Sequence, residues 1–150
     1  MLGLSAVVNA AGYGVIDLEK VVESSQYLKQ QNASLEASIK PQASKLEQLN
    51  KELAALQKQS QTQGTNLKQI ETQYQAKMTE FTTLQQSVQS RVQTTIQNTN
   101  KTFETRVKQA AEQLRQENNL DLVLNKNAAL AFDSKYDLTA KMIQKVNAIK

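Results

Sequence analysis

The chain has 150 residues, 39% of them hydrophobic and 5% aromatic, with a net charge of +4. That is too little large apolar surface to fill a compact core of this length. With no Cys and no His, disulfide frameworks, thiolate or imidazole catalysis and metal sites built on either ligand are excluded.

Met1 to Gly14 reads MLGLSAVVNAAGYG. Its small apolar run, followed by Asn9-Ala10-Ala11, resembles the end of a secretory signal peptide, although the basic start of such a peptide is missing. Residues 1–12 are read as a signal-peptide remnant or a disordered N-terminus. No stretch approaches the ~18 apolar residues that span a bilayer. A first strand is expected over residues 13–19, with Val15 and Ile16 at its centre. Asp17 is placed to cap a following helix, with Glu19 in its first turn.

Heptads follow. Leu28, Leu35, Leu49 and Leu56 form one series, and Ile39, Leu46 and Leu53 the other. The mean apolar step is about 3.5 residues, the spacing of a left-handed coiled-coil seam. Pro41 lies inside this pattern and predicts a kink or restart near Ile39–Lys40. Residues 60–66, containing Gly64, read as the tip of a helical hairpin. A return helix is expected from about Leu67 to Glu117. Its stripe runs from Leu67 to Leu114 through Ile70, Tyr74, Met78, Phe81 and Phe103, with Thr99 filling one gap. The mean step here is about 3.6 residues, that of a nearly straight helix. The mismatch predicts arms that pack closely over part of their length and splay elsewhere.

Beyond the arms the period changes. Leu120 to Asn125 and Ala128 to Phe132 read as a strand pair. Asp137 or Thr139 is placed to cap a last helix with Met142, Ile143, Val146 and Ile149 on one face. The layout is therefore a first strand at 13–19, a hairpin arm at 20–118, and a strand pair with a C-terminal helix at 119–150. Such a fold is mainly α with a small β element. A sheet this small is marginal alone, and its edges invite pairing, so oligomerisation through the β element is expected. Val15, Ile16, Leu122, Val123, Leu124, Leu130 and Phe132 are the expected subunit interface. A core within one chain would use many of the same residues.

The order of these elements resembles the Skp/OmpH family of periplasmic chaperones. The resemblance rests on Tyr13 to Val22 (YGVIDLEKVV), Pro41 to Gln57, Leu120 to Phe132 (LDLVLNKNAALAF) and the Asp137-Leu138-Thr139 helix start. It implies a jellyfish-like homotrimer in the periplasm of a Gram-negative bacterium. Three hairpins would enclose a cavity that holds unfolded outer-membrane proteins without nucleotide. No lipopolysaccharide-binding cluster is carried over, because Phe81 to Asn100 has Arg91 as its one charge.

The positive charge is local: Ala37 to Arg115 holds 11 basic and 6 acidic residues. Lys40, Lys45, Lys51, Lys58, Lys68 and Lys77 lie along the arms. Read functionally, they favour acidic clients or an anionic membrane surface; otherwise they are solvated helix faces. Tyr74, Met78, Phe81 and Phe103 offer apolar contacts to a client or form the seam of the hairpin. Asp17, Asp137 and Thr139 are expected to be structural caps. No catalytic constellation, cofactor or nucleic-acid partner is expected, since no reading helix or aromatic–basic platform is present. The leading expectation is an ATP-independent holdase. The alternatives are a structural coiled-coil scaffold or adaptor of the cell envelope and a cytosolic prefoldin-like chaperone.

Overall fold

The computed structural model describes residues 12–62 and 66–150. The expected signal remnant at 1–11 and the centre of the expected hairpin tip, including Gly64, lie outside the described residues. Strand β1 is Tyr13–Ile16, and helices α1 and α2 are Leu18–Ser24 and Gln26–Ser60. Helix α3 is Leu67–Glu117, strand β2 is Leu122–Asn125, and helix α4 is Thr139–Ala148. The chain divides into two compact units. The terminal unit is the chain up to Lys29 together with Asn100–Lys150, and the hairpin unit is Gln30–Thr99.

In the terminal unit, β1 and β2 pair in parallel, with Tyr13 opposite Leu122 and Ile16 opposite Asn125. A parallel pair needs a long crossover, which the two long helices supply. This corrects the expected strand pair. Ala128–Phe132 does not pair with 120–125: the chain turns through a 3-10 segment at Lys126–Ala128, and no strand forms at 128–132. Asn125, at the end of β2, has its side-chain carbonyl 3.4 Å from the Leu18 amide. β1 also makes a single parallel bridge, from Val15 to Asp137.

The core of this unit is Ile16, Val21, Phe103, Ala110, Leu114, Met142 and Val146. Leu114 and Met142 are fully buried. Tyr27, Leu28 and Val107 pack against this cluster, and the unit takes in the first turn of α2 and about a third of α3. The sequence pattern had placed that boundary at residues 19/20 and 118/119. Apolar periodicity alone does not distinguish a hairpin seam from a terminal core.

Two further features depart from expectation. Helix α2 runs unbroken through Pro41, so the predicted restart is absent. Proline leaves the carbonyl one turn back without its usual donor. Nearby, the Ser38 hydroxyl bonds back to Leu35 O at 2.8 Å, and with its amide turned to donate, Gln42 reaches Ser38 O at 2.7 Å. The break falls instead at Ser25, which is extended and 1% exposed. Its hydroxyl accepts from the Leu28 amide at 3.2 Å, capping α2. The Asn147 side chain bridges the break. It accepts from the Gln26 amide at 2.9 Å and donates to Ser24 O at 3.1 Å.

Helix α3 ends in a left-handed turn, with Asn119 at φ 50° and Leu120 N–H bonded to Arg115 O at 2.8 Å. Asn serves here where Gly is commoner, because its short polar side chain tolerates positive φ.

Candidate functional site

No group of three or more potential metal-ligating residues is gathered among the described residues. No helix among them is long and apolar enough to cross a membrane. Two surfaces, one in each unit, are the candidate sites.

In the terminal unit the seven expected interface residues separate into two sets. Val15 and Ile16 are buried in the chain's own core, and Val123 packs against it. Leu122 and Leu124 are exposed on the outer side of β2 (42% and 37%), and Leu130 is completely exposed (110%). Phe132 is half-buried. These exposed leucines form an uncovered apolar face, the feature that soluble domains otherwise cover, beside a sheet of only two strands.

Behind this edge the three expected caps form one linked device. Asp17 caps α1, its carboxylate accepting from the Lys20 amide at 3.3 Å. That hydrogen bond, more than the neighbouring Lys126, holds the carboxyl below the usual carboxylate range. Asp137 accepts from the Thr139 amide at 2.8 Å. Hydrogen bonds from the Thr139 hydroxyl and amide lower its pKa as well. Thr139 is not a side-chain cap of its own helix. Its hydroxyl accepts the Asp17 amide at 2.9 Å and so ties the start of α1 to the start of α4. Gly14 lies beneath this joint, where a Cβ would overlap the Leu138 side chain. The joint was legible only in part: DLT suggests a cap, but its partner is 122 residues away.

In the hairpin unit, α2 and α3 are linked by two ion pairs. Lys45 Nζ lies 3.3 Å from Glu80, and Lys77 Nζ lies 2.6 Å from Glu52. Gln48 also donates to Glu52 at 2.8 Å. Lys77, followed by Gln48, lowers the Glu52 pKa, and Glu52 in turn raises that of Lys77. Three of the six expected cavity lysines are thus engaged: Lys45 and Lys77 across the helices, and Lys51 with Glu47 one turn away at 2.7 Å. Lys40, Lys58 and Lys68 are exposed and have no ion pair among the described residues.

The apolar stripe is unevenly covered. Leu49, Leu53 and Ile70 are buried. Tyr74, Met78 and Phe81 are half-buried, as are Leu35, Ile39, Leu84, Val88 and Val92. Ile96 is 46% exposed. A groove beside the ion pairs is floored by Ala55, Leu56 and Ala76 and rimmed by Gln59 and Gln73. Phe103 belongs to the terminal core rather than to this unit. The residues missed by sequence reasoning are Ser25, Asn147 and the acidic partners Glu52 and Glu80. The Ser24-Ser25 pair was the available signal for the first.

The profile of a family described as outer membrane protein (OmpH-like) matches residues 12–146. No curated protein matches the chain by sequence. Among solved structures, the chain is similar to a candidate outer membrane chaperone (OmpH-like) from Caulobacter crescentus CB15. The two are 20% identical with a TM-score of 0.67, over 93% of this chain and 85% of the other.

Proposed function

We propose, because the chain belongs to the OmpH-like family, that it is an ATP-independent periplasmic holdase for unfolded outer-membrane proteins. The observation that carries this reading is the half-open seam of the hairpin unit. Its apolar residues are partly accessible, and the surrounding stretch from Phe81 to Asn100 has a single charge. Partly exposed, dispersed apolar contacts bind many sequences weakly and release them without chemical energy, which is what a holdase requires. Lys40, Lys58 and Lys68, exposed and without an ion pair among the described residues, add attraction for acidic segments and for an anionic membrane surface.

The assembly that encloses a client is proposed to be a homotrimer. The exposed Leu122, Leu124 and Leu130 support it, since packing against neighbouring copies would cover them. Light scattering of the purified protein should give three times the chain mass, and addition of an unfolded β-barrel protein should add one client. Aggregation of that client should be suppressed without nucleotide at about one trimer per client. If aggregation is unchanged at excess protein, the holdase reading is wrong. Capture of one defined envelope protein from periplasm, instead of a spread of outer-membrane proteins, would favour a scaffold.

A further inference from the structure

Within the Phe81–Asn100 stretch of α3, two rows run side by side at every fourth residue. One is Leu84, Val88, Val92 and Ile96; the other is Gln85, Gln89, Gln93 and Gln97. In a helix such i, i+4 positions form a continuous ridge. The apolar ridge is half-buried, with Ile96 open to solvent, and the glutamine ridge is fully on the outside. Gln89, Val92, Gln93, Ile96 and Gln97 together line a shallow surface groove. None of the four glutamine amides has a hydrogen-bond partner among the described residues. Elsewhere on the same helix, Gln116 does bond a neighbouring carboxylate.

We infer that this double ridge is a docking track for a client segment in extended conformation, read through its backbone. The inference rests on the holdase reading and specifies where and how the client is held. Each primary amide offers two N–H donors and a carbonyl acceptor. That is the complement of a peptide group, whatever the side chains are. The amides recur every ~6 Å along the helix, at 1.5 Å per residue. In an extended chain, residues on one side recur every ~6.7 Å. Over three steps the axial mismatch is about 2 Å, and the row also winds by about 120° around the helix, so the segment must follow it with a twist that flexible glutamine side chains accommodate.

The occupant follows from the chemistry. An alternating apolar/polar segment would lay its apolar side chains on the Leu84–Ile96 ridge, while its peptide groups meet the glutamines. The near absence of formal charge here suits an uncharged segment. A charged one would find no counter-charge apart from Arg91 and would lose hydration without recompense. Backbone reading also accounts for breadth, because every unfolded chain presents the same peptide groups.

The test uses the full chain with Gln85, Gln89, Gln93 and Gln97 all changed to Ala. Alanine is the best helix former, so helicity and mass should be unchanged, as circular dichroism and light scattering will verify. The probe is a 12-residue peptide of alternating Val and Ser. A second copy of it carries N-methyl groups on alternate backbone nitrogens. The wild type should bind the plain peptide about tenfold more tightly than the alanine variant does, from a few net hydrogen bonds of modest strength. N-methylation should weaken binding to the wild type by a similar factor and leave the variant's affinity unchanged. Equal binding of both peptides by the wild type overturns backbone reading. Equal binding of the plain peptide by wild type and variant overturns the glutamine track. Either result is distinct from failure of the holdase reading, in which the wild type would leave aggregation of the unfolded β-barrel protein unchanged.

Discussion

The terminal unit and the hairpin unit are built from the same few apolar residue types, yet they are held together differently. In the terminal unit, residues far apart in the chain meet. Leu114 is fully buried with Met142 and Val21, and side chains reach across more than 100 residues to backbone amides at Asp17 and Gln26. In the hairpin unit most hydrogen bonds join residues three or four apart, as at Thr72 and Thr79. Its cross-helix ties are two partly exposed ion pairs and a partly covered seam. The contrast separates two tasks. A closed core with satisfied polar groups has one arrangement, whereas a half-open seam can yield to whatever it contacts.

The largest test of that contrast is Leu114→Ala. It should cost about 2–5 kcal/mol by leaving a cavity in a closed core, read as a fall in thermal or urea midpoint. Val88→Ala, at a half-buried seam position, should cost much less. Equal losses would abolish the distinction. Next is Asn147→Ala, which strips partners from the Gln26 amide and Ser24 carbonyl. It should cost about 1–3 kcal/mol and raise hydrogen exchange at the Ser25 break. Exchange rising uniformly along α2 instead would mean that the break is not held by α4.

The third test is pH. Asp17 and Asp137, in the terminal unit, have folded pKa values below the usual 3.8. Their contribution is complete above that value and is lost as pH falls through the folded values. Glu112 on α3 is lowered further, to about 2, by hydrogen bonds from Arg115 and then Gln116. The joint of α1 and α4 should therefore hold at pH 5 and loosen below about pH 4. A chain that unfolds already between pH 7 and 5 would contradict this. The smallest effect is expected for Glu52→Gln, which removes the charge facing Lys77. A pair that is still partly exposed contributes modestly and is partly screened by salt, so the change in melting temperature should be slight and should shrink at 1 M salt. A large, salt-independent loss would show the seam to be more closed than its exposure indicates.

Much of the helical layout could be read from periodicity. The return helix was expected from about Leu67 to Glu117 and has those limits, because its stripe keeps one period with only Thr99 filling a gap. Cap geometry at Asp17 was legible for the same reason: capping is decided by residues within one turn. Pro41 brings no restart, because a single lost hydrogen bond in a 35-residue helix is offset by the remaining turns and by neighbouring side chains. Ser25 was overlooked, because the helix break depends on Asn147, which is remote in sequence. For the surfaces, the glutamine and apolar rows stand in the sequence as a strict four-residue repeat. Which face remains uncovered is visible only once the helix has its neighbours.

Short-range chemistry thus settled composition class, helix extent, the exclusion of thiol and imidazole chemistry, and the local placement of charge. Those outcomes depend on interactions within a turn or two, and the residues involved are adjacent in the chain. The tertiary structure decided that β1 pairs with β2 in parallel and that Ala128–Phe132 has no strand partner among the described residues. It also decided that Thr139 serves Asp17 rather than its own helix, and that the core draws in both Tyr27 and Val107. Each of these joins residues separated by tens of positions or more. Such pairings depend on which surfaces can be buried together in three dimensions, and a linear pattern of apolar spacing is compatible with several of them.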